Sequence, residues 1–279
     1  MTGPGQDVET KHIFSEAYRI VADYHSHGID AYKNELRPGE LASVRRELAA
    51  WRIAPEAKVV EIGCGLGHLH TCHPNWQGFE YADTAVALGK TTYGETLNIV
   101  EADARNLPLE PNSVDFLFTF DALEHIPNVE QAFAEIERIM KPGGIAMLVP
   151  AWNCRSWTVK KLQMRPYAEL TPSEKIGKFL IPLRDHIAFR LLCNLPGRAL
   201  RELRLLFGAA VPLDYTPLTP DTTLWYRYDR GADDDAFISM DAHAAIAYFR
   251  ARGWQTPSHP TFWKRFSVRS GPVVVRKPA

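Results

Sequence analysis

Residues 59–67 read Val-Val-Glu-Ile-Gly-Cys-Gly-Leu-Gly: a short apolar run holding one acid, then three glycines at alternate positions. Val59, Val60 and Ile62 suit a strand of a parallel sheet, buried on both faces. Gly63, Gly65 and Gly67 lack Cβ atoms, so the main chain can take positive φ and a ligand can press against it. A helix is expected next, offering free N–H groups and the positive end of its dipole. This arrangement suits a nucleotide-like cofactor. The G-x-G-x-x-G dinucleotide fingerprint and the G-x-x-x-x-G-K-[ST] phosphate loop both fail to match the G-x-G-x-G spacing. Glu61 would repel a pyrophosphate but would welcome an ammonium group. Further acids end later apolar segments: Glu80 and Asp83 after Gly78-Phe79, and Asp103 after Leu97–Val100. At the carboxyl edge of a parallel sheet, such a carboxylate can accept both hydroxyls of a ribose. His125 follows the run Val114–Phe120 and stands close to Asp121. An imidazole titrates near neutral pH, which suits a general base.

These groups need a scaffold. The chain has 279 residues, 46% of them hydrophobic, enough for one large domain or a domain with an elaborated cap. A net charge of −1 argues against a generic nucleic-acid binder. Cys64, Cys72, Cys154 and Cys193 form no small-scaffold disulfide pattern and read as reduced thiols of a cytoplasmic protein. No signal-peptide layout and no apolar run of membrane-spanning length is seen. Residues 1–11 are expected to be disordered. From His12 to Trp51 the apolar spacing is helical, broken at Pro38-Gly39. Strands are expected at residues 59–62, 78–83, 97–104, 114–120 and 145–149, with helices between them. Lys141-Pro142-Gly143-Gly144 reads as a type II turn.

Several of these stretches, in this order, resemble the class I S-adenosylmethionine (SAM) methyltransferases, and in particular the methyltransferase type 11 subgroup. Glu61 with the three glycines matches the first motif, [DE]-x-G-x-G-x-G. Gly78–Lys90 is similar to the acidic strand end and the helix after it, Asp103-Ala104 to the acid-plus-small pair, and Asp121–Pro127 to a post-strand loop that often reads A-L-E-H-[IL]. The resemblance covers roughly residues 55–152. It implies a Rossmann-like, doubly wound α/β fold: a seven-stranded sheet whose last strand is antiparallel. It also implies SAM as cofactor, with Glu61 on the methionine ammonium, Glu80 on the ribose and Asp103 on the adenine amino group. Asp83 then falls in the first turn of the following helix. Gly63, Cys64, Gly65, Gly67, Tyr81, Ala104, Phe120 and Asp121 complete the implied cofactor contacts. Methyl transfer needs a base only for a hydroxyl or carbon-acid nucleophile. The candidates are His125, Tyr24, His25, His186 and His243. Tyr18, Tyr24 and His25 are also placed as lid residues by the resemblance.

The implied organisation is a helical N-terminal cover (1–52), a SAM-binding core (53–150), a cap insertion (151–237), and a helix with two strands completing the core (238–279). The final strands are expected at Trp254–Phe262 and Phe266–Val275. The insert is too long for a loop. Its first part mixes basic residues such as Lys160, Lys161, Arg165 and Arg190 with apolar ones. It reads as an amphipathic cap with a solvated basic face, with a membrane-surface patch or an anionic-substrate site as alternatives. Asp233-Asp234-Asp235 reads as a solvated turn. The cluster Cys64, His68, His70, Cys72 and His73 has no finger spacing, and two faces of one short helix cannot close a tetrahedral site, so no metal is expected. The acceptor is expected to be a small molecule of specialised metabolism. A lipid-like or quinone acceptor at the membrane surface, or a SAM-binding protein without catalysis, are the alternatives. No nucleic-acid partner is expected, and the oligomeric state stays open.

Overall fold

The structure, a computed structural model, describes residues 11–16, 18, 38–224, 227–228 and 233–279. Tyr24 and His25 lie outside these residues. The chain forms two compact units. The first holds the described residues up to Leu123, Asn128–Pro150 and Arg276–Ala279; the second holds Glu124–Pro127 and Ala151–Val275.

In the first unit, helix α1 (Pro38–Ala50) precedes strand β1 (Val59–Ile62), whose four residues are all buried. Then come β2 (Trp76–Glu80), α2 (Asp83–Tyr93), β3 (Ile99–Glu101) and β4 (Val114–Phe120). Helix α3 (Val129–Ile139) and β5 (Met140–Val149) follow. β1 pairs in parallel with β2 on one side and β4 on the other, Val59 lying opposite Trp76 and Phe116. β3 joins β2 and β5 joins β4, also in parallel. With β8 (Val273–Arg276), the sheet order is β3-β2-β1-β4-β5-β8, and β8 is the antiparallel member. The strand order reverses between β1 and β4, which opens a crevice at their carboxyl ends.

The apolar runs read from the sequence are the buried strands. Phe116, Leu117 and Phe118 are fully buried, as strands covered on both faces must be. Helix α3 buries Val129, Ala132, Phe133, Ile136 and Ile139, a helical stripe. Each of these side chains larger than alanine contributes about 1.5–3 kcal/mol on burial. Glu135 on the same helix accepts from the Leu107 amide at 2.7 Å, and Arg138 donates to the Leu109 carbonyl at 2.7 Å. These bonds pin the proline-rich loop before β4.

Three expectations need correction. No α-helix follows the glycine loop: the crossover to β2 consists of turns and one 3-10 turn, His70–Cys72. It is short and ends at His73-Pro74, leaving no length for a helix. Lys141–Gly144 bulges out of the β4–β5 ladder within β5, and Gly143 takes φ +77°, as the third position of a type II turn requires. The sheet has six strands among the described residues rather than seven. Trp254–Phe262 gives turns and helix α9 (Phe262–Phe266) in place of a strand. Pro257 and Pro260 cannot donate to a ladder there, and Thr261 caps the helix.

The second unit holds short helix α4 (Ser156–Val159), α5 (Pro172–Phe179), α6 (Ile181–Asp185) and the long α7 (Ile187–Leu206). A two-stranded antiparallel ribbon, β6 (Tyr215–Pro217) with β7 (Ile238–Met240), follows, and then α8 (Ala242–Ala251). Asp241 caps α8, as the Ser-Met-Asp sequence indicates, and nearly all of α8 is buried. Helix α7 has the reverse polarity of an ordinary surface helix. Arg198 and Arg201 are buried, whereas Leu192, Leu195, Leu200, Leu203 and Leu206 are 39–77% exposed. At 100° per residue these leucines share one face, opposite Arg201. Arg198 reaches the Asp241 carboxylate at 2.7 and 2.8 Å and the Phe266 and Val268 carbonyls at 2.6 and 2.7 Å. Arg201 bonds Asp214 at 2.6 Å.

The basic cap is therefore not simply a solvated basic face. Lys161 is also buried and ion-paired with Asp234, both side chains at most 2% exposed. The acidic triplet is thus not a solvated turn, because its central residue is a buried counterion.

Candidate functional site

The glycine loop leaves β1 with Gly63, Gly65 and Gly67 at φ +67°, +54° and +82°, conformations that L side chains rarely take. A Cβ on Gly63 would lie 2.3 Å from the Ala122 Cβ, and one on Gly65 would lie 3.2 Å from the Tyr18 hydroxyl. The loop is closed by its own amides. Gly63 and Cys64 donate to the Phe79 carbonyl at 2.8 and 3.2 Å.

Glu80, at the end of β2, ties this loop to its own turn. One carboxylate oxygen accepts from the Gly65 amide at 2.9 Å; the other accepts from Tyr81 and Ala82 at 2.8 and 3.0 Å. Glu61 is buried, and the Trp76 indole donates to it at 2.9 Å. No local pattern hints at that clamp, because residues 61 and 76 meet only once β1 and β2 pair. Asp83 stands in the first turn of α2, where it accepts from the Ser15 hydroxyl at 2.7 Å. Asp103 is held by Arg105, whose Nη2 and Nε lie 2.6 and 3.0 Å away.

A cavity of about 150 Å³ lies at this crevice. Glu61, Gly63, Cys64, Gly65, Phe120 and Asp121 line it, together with Tyr18. Gly67, Glu80, Tyr81, Asp103 and Ala104 do not line it. Glu40 of α1 and His68 do, and only helix periodicity and the histidine cluster pointed to their segments. Asp121 takes φ +44°, uncommon for a residue with a side chain. Burial first, then Glu61 and Glu80, push the Cys64 thiol well up, so it stays protonated.

The histidine cluster is spent on local bonds. His68 pairs with the Tyr93 hydroxyl at 2.6 Å, His70 with the Gly67 carbonyl at 2.9 Å and His73 with the Ala54 carbonyl at 3.0 Å. Among the described residues no group of His, Cys, Asp or Glu is arranged to hold a metal.

His125 belongs to the second unit. The loop that carries it is fastened there: the Glu124 carboxylate accepts from the Ala151 amide at 3.0 Å, and the Glu124 carbonyl accepts from Phe237 at 2.8 Å. The imidazole lies 3.6 Å from the Asp235 carboxylate and 3.8 Å from that of Glu124. Burial alone would lower its pKa, but Asp235 and Glu124 outweigh burial and raise it above the usual 6.5. The surroundings favour the imidazolium, which is the acid form, so proton acceptance is weakened near neutral pH. His186 caps α7, its Nδ1 accepting from the Ala188 amide at 3.3 Å.

A family model for a methyltransferase domain matches residues 60–148. The chain is 29% identical over 103 residues to the sterol 24-C-methyltransferase ERG6B of Gibberella zeae, covering 33% of this chain and 27% of that one. It is 29% identical over 98 residues to the demethylmenaquinone methyltransferase of Staphylococcus haemolyticus, covering 32% and 41%. Of the curated relatives named here, it thus spans well under half the length. A crystal structure of a possible histamine N-methyltransferase from Thermotoga maritima shares 16% identity, with a TM-score of 0.45 and coverage of 95% and 97%. The matched segment holds the glycine loop, the acids ending β2 and β3, and the loop after β4. Over residues 60–148 the chain is thus similar to the SAM-dependent methyltransferase domain of the type 11 subgroup.

Proposed function

We propose that this chain transfers a methyl group from SAM to the oxygen, nitrogen or carbon of a small-molecule acceptor. The observation that carries the reading is the crevice where Glu61, the glycine loop and Asp121 line one cavity, with Glu80 bonded to Gly65. These residues fit the cofactor. Glu61 offers a buried carboxylate to an ammonium, the missing Cβ atoms at Gly63 and Gly65 leave the main chain approachable, and Glu80 offers an acid to the ribose hydroxyls. Asp103 would take the adenine amino group once Arg105 yields. Bound SAM supplies an already activated methyl group. The protein's part is to align the acceptor and exclude water.

Calorimetry with S-adenosylhomocysteine tests the Glu80 role. Glu80 also holds the loop, so its loss alone is ambiguous. An analogue lacking both ribose hydroxyls should bind wild type roughly tenfold or more weaker, and should bind Glu80→Ala no weaker than the parent compound does. Equal loss in both proteins would remove Glu80 from the ribose. No binding of SAM by wild type would end the methyltransferase reading.

A second reading, a lipid-like or quinone acceptor met at a membrane surface, is favoured by the reversed polarity of α7. Five exposed leucines on one face need a cover, and exposed Lys175 beside exposed Ile176 suits an anionic lipid surface. Relatives named for sterol and menaquinone methylation support it. No helix among the described residues is long and apolar enough to cross a membrane. Wild type should sediment with phosphatidylglycerol vesicles, and Leu203→Ser/Leu206→Ser should lose roughly tenfold or more in partitioning. Lys161 and Arg165 are poor sites for charge reversal, since each is ion-paired within the unit. If wild type stays in solution with these vesicles, the membrane reading is lost.

A further inference from the structure

The second unit contains a cavity of about 280 Å³ whose lining includes Arg155, Arg190, Arg198 and Arg269. That is the small end of the range for ligand sites. The four arginines differ in what they already hold. Arg198 is committed to Asp241 and two carbonyls. Arg155 places its Nη2 2.8 Å from Asp185, while its Nε is buried with no acceptor. Arg190 and Arg269 have no ion pair and no side-chain hydrogen bond among the described residues. Asp233 is the one carboxylate among the described lining residues, against four arginines. Asn194 and Thr158 add neutral donors. Ile187 and Leu191 also line the cavity and are 45% and 38% exposed, which makes one edge apolar.

A buried donor without an acceptor is costly, and a guanidinium fork matches the two oxygens of a carboxylate or phosphate. We propose that this cavity binds the oxyanion of an amphiphilic small molecule, a carboxylate or phosphate monoester, whose apolar part lies along Ile187 and Leu191. Arg190, Arg269 and the Arg155 Nε hold the oxyanion. Asp233 limits the charge the cavity accepts. The inference stands independently of methyl transfer, because the cavity and its donors lie wholly within the second unit.

The full chain is titrated calorimetrically with hexanoate, hexyl phosphate and inorganic phosphate at constant ionic strength. At least one of the two alkyl ligands should bind saturably, and whichever binds more tightly identifies the oxyanion. Arg190→Gln and Arg269→Gln should each weaken that ligand roughly tenfold, and the double variant roughly a hundredfold. Lys264→Gln, exposed and outside the cavity, should bind as wild type. The arginine variants should unfold like wild type and keep SAM affinity, which separates failure here from failure of the cofactor site. The proposal is overturned by absence of saturable binding, by a double variant that titrates like wild type, or by Lys264→Gln weakening binding equally. Inorganic phosphate binding as tightly as hexyl phosphate would remove the amphiphile.

Discussion

Replacing Arg198 with methionine should destabilise the second unit by about 3–5 kcal/mol, the usual cost of removing one partner from a buried ion pair. The side chain is 3% exposed and its four bonds span 2.6–2.8 Å. Without it, the 8%-exposed Asp241 keeps the 3.4 Å contact with Arg201 and the 3.3 Å cap bond from the His243 amide, and the Phe266 and Val268 carbonyls lose a donor. Arg198→Lys should recover part of the loss, because it keeps the charge but not the planar fork. Denaturant unfolding followed by circular dichroism measures both. A loss below about 1 kcal/mol, the range of exposed pairs, would show that the guanidinium is solvated.

Gly63→Ala should abolish or sharply weaken SAM binding. A left-handed backbone costs an L residue roughly 1–2 kcal/mol, about a tenfold effect if felt only in the bound loop. The larger problem is steric, since the new Cβ would sit 2.3 Å from the Ala122 Cβ. One of the two segments must move, and both belong to the crevice end of the sheet. Ala122→Gly in the Gly63→Ala background removes the overlap but not the backbone cost. It should therefore restore affinity partly. Calorimetry on the two single variants and the double variant checks this. Affinity unchanged in Gly63→Ala, or no recovery in the double variant, would falsify the steric account.

The sheet was legible because its strands announce themselves locally. Val59–Ile62 and Val114–Phe120 are nearly unbroken apolar runs, and burial on both faces demands that pattern. The acids at 61, 80 and 103 were legible by their place after such runs. The crossover helix was misread because a glycine loop is so often followed by one, while the few residues before Pro74 leave no room for it. The second unit was the least legible. An amphipathic helix read alone turns its leucines inward, but α7 turns its arginines inward because Asp241 waits 43 residues away. Asp234 reads as a surface acid until Lys161, 73 residues distant, is brought to it. His125 reads as a base until Asp235, 110 residues on, is placed beside it. Local pattern carries no trace of such partners.

The reversed polarity of α7 also has a kinetic consequence. An ordinary helix is drawn to a forming core by its apolar face as soon as collapse begins. Helix α7 gains little from collapse, because Arg198 must shed water before its acceptors, 43 to 70 residues further along the chain, are in place. Its docking requires distant contacts to form first, the condition for slow folding. Docking of α7 should then come after the folding barrier, so Arg198→Met should speed unfolding and leave refolding nearly unchanged. Meanwhile the leucine face stays open to other chains, so the assembly of this unit, more than its final stability, sets its tendency to aggregate.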